Sequence, residues 1–119
     1  MLTLPALIML AASVVMVLIH AAGAYLGFRG LTVPRGIGVY VSIYESLYYL
    51  SLTTLMLSIL PIWLTVLVII MLITHLIGTY MYLRGYLASY ASPSSLRYYG
   101  VYESFELAII LAIITYMVL

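Results

Sequence analysis

Cysteine, lysine, aspartate, asparagine and glutamine are all missing from this chain of 119 residues. Without cysteine there are no disulfides, no thiol catalysis, no thiolate zinc site and no iron–sulfur cluster. Four arginines and three glutamates are the only fixed charges, a net charge of +1 and 6% of the residues. No basic stripe exists, which argues against nucleic acid as a partner. A soluble domain of this size could not cover its surface with so few charged side chains. The missing amides and thiols fit a heat-adapted source, although seven methionines pull the other way.

Apolar residues fill the space. They make up 67% of the chain, and the mean hydropathy is +1.29. Four apolar segments are expected as membrane helices, at about Leu4–Phe28, Gly38–Leu60, Ile62–Leu87 and Val101–Leu119, each reaching the roughly 18 residues needed to cross a bilayer. Met1 leads into the first of these with no positive flank and no clear cleavage site, so that segment is expected to stay in the membrane. Pro61 separates the second and third segments, and a tight turn is expected at Leu60-Pro61.

Two stretches of the chain say nearly the same thing. Residues 20–30 read HAAGAYLGFRG and residues 75–85 read HLIGTYMYLRG; RGIGVYVS from Arg35 and RYYGVYES from Arg97 follow them. Shared order and polarity indicate a tandem duplication of a unit of about 60 residues. The expected fold is all-α and integral to the membrane, with residues 1–60 and 61–119 as two helical hairpins. Two spans per unit would give both copies one orientation, related by an axis along the membrane normal.

Arg29, Arg35, Arg84 and Arg97 all fall in the two loops inside the hairpins, so the positive-inside rule places those loops in the cytoplasm and both termini outside. Every tyrosine except Tyr116 lies towards the Arg side, and Trp63 marks the other interface. The arginines act as topology anchors and headgroup contacts, with a cytoplasmic anion- or partner-binding surface as the alternative. Pro34 and Pro93 are expected to set the loop direction, and the longer second loop, rich in Ser and Ala, to form an ordered turn.

The polar residues inside the spans are the candidates for function. His20 and His75 each stand nine residues before an arginine, about 13 Å below the interface and near mid-membrane. Such a pair could ligate one b-type haem or a metal, or carry protons; the structural alternative is two packing histidines bonded to nearby oxygens. Gly23 and Gly78, three residues on, thin the helix on the His face and would admit a neighbouring helix or a porphyrin. Glu45 and Glu106 lie about two turns into their helices and could reach a histidine on an adjacent helix, or else pair with an arginine. Glu103 is expected to be interfacial and structural. Ser42, Ser46, Tyr49 and Thr53 form a polar stripe expected at a helix seam. The small residues of the first segment predict a central position for it, and the bulky third segment is expected to face lipid or a partner chain.

The H…G…Y pattern is loosely similar to the haem-ligand helix of succinate dehydrogenase membrane anchors, over about a dozen residues per copy, with a His-to-Gly spacing of three where that family has four. The resemblance implies a bis-histidine b-haem. No phosphate-cradling Gly loop, H-E-x-x-H, Ser-His-Asp set or first-helix Glu of the small multidrug exporter kind is present. No catalytic residue is assigned. Three readings stay open, in this order: a non-enzymatic subunit docking on other membrane subunits or copies of itself, a proton or ion pathway through the His and Glu residues, and a haem-bearing anchor of a respiratory enzyme.

Overall fold

Helix starts and stops follow from local chemistry. The Thr3 hydroxyl accepts from the Ala6 N–H at 3.3 Å and, with Pro5 in the first turn, opens α1, Leu4–Phe28. Its end is a Schellman turn: Gly30 has φ 68°, its N–H donates to the Gly27 carbonyl, and the Leu31 N–H donates to that of Leu26. After Pro34 comes α2, Arg35–Leu55, followed by a 3-10 turn at Leu57–Ile59. Pro61 caps α3, Ile62–Leu83. This helix ends as α1 does, with Gly85 at φ 77° and Tyr86 donating to the Met81 carbonyl. The repeated R-G dipeptide is thus, in both places, a helix C-cap with the glycine in the left-handed conformation that side chains resist. The last helix, α4, runs Pro93–Val118.

The computed structural model describes residues 1–86 and 93–119; the expected ordered turn in the second loop falls on residues 87–92, outside the described residues. Within the described residues the fold is all-helical, without strands. Three helices are long and apolar enough to cross a membrane: α1, α3 and residues Ser95–Val118 of α4. The remaining helix, α2, has 21 residues but is diluted by Ser42, Tyr44, Glu45, Ser46, Tyr48 and Tyr49. The bundle measures 45 × 26 × 23 Å, a long axis comparable with the roughly 40–45 Å of a bilayer with headgroups.

Packing is uneven around the bundle. The two most extensive contacts are α1 on α4 and α2 on α3. Gly27 and Gly100 let α1 and α4 approach closely: a Cβ on Gly27 would lie 2.7 Å from the Gly100 nitrogen. At the corresponding place between α2 and α3, Gly38 faces the Tyr82 ring, 3.0 Å from a would-be Cβ. Ser46 and Thr79 share a hydrogen bond of 2.8 Å, and Thr79 donates to the Ser42 carbonyl, so part of the predicted polar stripe does form a seam. The first helix is more enclosed than the third, with eight buried residues in α1 against four in α3. Both still turn an apolar face outwards, Leu4, Ile8, Val14 and Leu18 on α1 and Ile62, Val66, Ile69 and Ile73 on α3.

Candidate functional site

His20 and His75 are both buried, at 0% and 8% exposure, each about 12 Å from the loop end of its helix. Their rings are edge-to-face with centroids 6.5 Å apart. Glu45 and Glu106 stand between them. Glu45 Oε2 lies 2.6 Å from His75 Nε2 and 3.8 Å from His20 Nε2. Glu106 Oε1 lies 3.0 Å from His75 Nε2 and 3.4 Å from His20 Nε2. Each of the four helices thus contributes one ionisable side chain to one centre, and one ligand atom from each lies within 4.8 Å of all the others. Among the described residues, neither Glu45 nor Glu106 pairs with an arginine; both face imidazoles.

Three further groups orient this centre. Glu103, 4% exposed, hydrogen-bonds His20 Nδ1. His75 Nδ1 donates to the Met71 carbonyl at 2.7 Å, and Tyr49 donates to Glu106 Oε1 at 2.8 Å. The interfacial role expected for Glu103 is not what the fold gives it. Glu103 and Glu106 are three apart on α4 and so share the face turned to α1. That E-x-x-E spacing, opposite a buried histidine, was the signal for it. Tyr49, expected only as a seam residue, reaches a carboxylate from the same stripe.

The two glycines behave differently. A Cβ at Gly23 would lie 2.9 Å from the Glu103 carboxylate, so the gap beside His20 is filled by that side chain. A Cβ at Gly78 meets nothing within 4 Å among the described residues. Gly78 instead lines a cavity of about 430 Å3 that runs from Thr32, Val33 and Tyr86 at the loop end down to Glu45, His75 and Glu103. A second cavity, of about 410 Å3, lies between α1 and α2 and also reaches Glu45 and Glu103. Towards the other end the centre abuts an apolar core that includes Met16, Leu52, Val68 and Ile110. Both cavities extend from the centre towards the arginine end.

The arginines stay outside this centre. Arg35 donates from Nη2 to the Tyr82 carbonyl at 2.9 Å, tying the start of α2 to the end of α3. Arg29 lies over the Tyr25 ring, 5.7 Å from its centroid, while Arg84 caps α3 and Arg97 is exposed on α4. For a porphyrin, the plane between two axial imidazoles must be free. Here that plane holds Glu45 and Glu106, so the arrangement suits a small cation or protons and not a haem. Compared with protein-family models, curated proteins and solved structures, the chain gives no match.

Proposed function

We propose that the chain is a four-span membrane protein that carries a cation by way of the His20–Glu45–His75–Glu106 centre. The single observation behind this reading is the convergence of one ionisable side chain from each helix at mid-bundle, beside a cavity that extends towards the arginine end. Ionisable groups in a membrane interior are costly, and where they persist they mark ion and proton pathways. A docking subunit would need the apolar outer faces of α1 and α3 against lipid, other membrane subunits or a second copy. It would not need such a centre, so the pathway reading stands ahead of docking.

In this reading the four helices form two hairpins, 1–60 and 61–119, with equal orientation. The matching Schellman caps after Arg29 and Arg84 support the repeat, as do the paired crossings at Gly100 and Gly38. The arginine end faces the cytoplasm, and both termini lie outside with the 3-10 turn, near Trp63 and Tyr116.

The test is reconstitution into vesicles carrying an internal pH or divalent-metal indicator, with an imposed membrane potential. Cation entry above protein-free vesicles, and its loss in Glu45→Gln, is the expected result. Absence of both proton and metal-ion flux across a correctly inserted, folded protein would overturn the reading.

A further inference from the structure

The two imidazoles are presented to the centre in one particular form. The Met71 carbonyl only accepts, so His75 Nδ1 carries the proton, and a neutral ring then directs its Nε2 lone pair inwards. His20 is held likewise, with Nδ1 against the Glu103 carboxylate. With both rings neutral, the two Nε2 lone pairs meet Glu45 Oε2 and Glu106 Oε1, which are themselves acceptors. Four such acceptors, with N···O distances of 2.6, 3.0, 3.4 and 3.8 Å, need positive charge between them, which protons on Nε2 supply without an ion and a metal ion supplies when it displaces them. Two buried atoms add to this: His20 Nε2 and Glu106 Oε2 have no hydrogen-bond partner among the described residues, and both residues are 0% exposed.

We propose that this centre is a four-coordinate site for a divalent first-row transition-metal ion, ligated by His20 Nε2, His75 Nε2 and one oxygen each of Glu45 and Glu106. The assignment rests on the cation-pathway reading and names its ion. Tetrahedral coordination at bond lengths of about 2.0–2.1 Å places ligand atoms about 3.3–3.4 Å apart. The four His–Glu distances bracket that value. Two imidazoles select zinc, cobalt, iron or manganese over magnesium and calcium, and the absence of thiolate excludes the softest ions. The outer groups have the form that metal sites use: a carboxylate on one histidine, a backbone carbonyl on the other, and a hydroxyl on a ligating carboxylate. The cavity that exposes Glu45 and His75 is the entry path. A bound dication also offsets two of the three carboxylate charges that would otherwise be buried together.

The experiment uses the full chain in detergent, stripped with a chelator and titrated with Co2+. One Co2+ per chain, intense d–d absorption of four-coordinate type and displacement by Zn2+ are expected. His75→Ala should abolish the bands. Because it can also unsettle the fold, Tyr49→Phe is measured beside it. That variant keeps every ligand and should weaken affinity about 10–100-fold, as loss of an outer-shell partner does. No d–d bands with the wild type, or unchanged bands and affinity in both variants, would overturn the metal site. If metal fails to bind while vesicles still show proton entry that depends on Glu45, the metal assignment falls and the pathway reading survives. If both measurements are negative, both fall.

Discussion

Substituting Gly27 and Gly78 by alanine probes whether the bundle is as unevenly packed as its contacts indicate. At Gly27 the added methyl would sit 2.7 Å from the Gly100 nitrogen and 2.8 Å from the Leu96 carbonyl oxygen, both backbone atoms that cannot rotate away. Ordinary contact begins near 3.4 Å, so α1 and α4 must separate by about 0.7 Å at their crossing (3.4 minus 2.7). Overpacking of this kind costs about 1–3 kcal/mol. Alanine's helix propensity returns about 1 kcal/mol, leaving a net loss of up to about 2 kcal/mol. At Gly78 nothing described stands in the way, and Gly78→Ala should stabilise by about 0.5–1 kcal/mol through propensity alone. Far-UV circular dichroism during denaturant titration in mixed micelles reads both. Opposite signs are expected. Equal shifts in the two variants would refute the close α1–α4 crossing and the reasoning built on it.

Two further outcomes follow from the same packing. Because the chain has no cysteine, Thr32→Cys and Ser58→Cys report topology directly: an impermeant thiol reagent on intact cells should label residue 58 and spare residue 32 until the membrane is opened. The Ser13 and Tyr48 hydroxyls share a buried hydrogen bond of 2.8 Å, while Ser13 also donates to the Met9 carbonyl. Ser13→Ala strands the Tyr48 hydroxyl and should cost about 1–3 kcal/mol; the double change Ser13→Ala with Tyr48→Phe should cost less than the two singles combined. Additive losses in that thermodynamic cycle would show that the hydroxyls are not coupled.

Much of this arrangement was legible in the sequence because hydrocarbon leaves few options. The turn before Pro61 follows from backbone chemistry that needs no tertiary partner, whereas α3 ends at Leu83, short of the expected Leu87, because Gly85 takes the left-handed cap. The position of His20 and His75 about 12 Å from the loop ends of their helices follows from rise per residue alone. Glu103 was misplaced because distance from the interface says nothing about which way a side chain turns, and that depended on α1 lying against α4. Gly23 and Gly78 look equivalent as letters yet differ in space, since Glu103 fills one gap and α2 has only Val41 at the corresponding position. Helix 1 buries more residues than helix 3, in keeping with the small residues that let it lie close against α4. The haem expectation came from two histidines at one depth. It did not anticipate that both glutamates would turn inwards and take the porphyrin's place.

The uneven packing has a mechanical meaning. His20, Glu103 and Glu106 ride on the α1–α4 pair, and Glu45 and His75 on the α2–α3 pair. Each pair is zipped along its own seam, and the cavities lie where the two pairs meet less closely. If the pairs move as stiff bodies, His20 with Glu103 and His75 with Glu45 stay together, while the Glu106–His75 and Glu45–His20 distances change. On the cation reading proposed above, the centre would act as a latch between two rods, an ion there holding Glu106 to His75 and Glu45 to His20 across the gap.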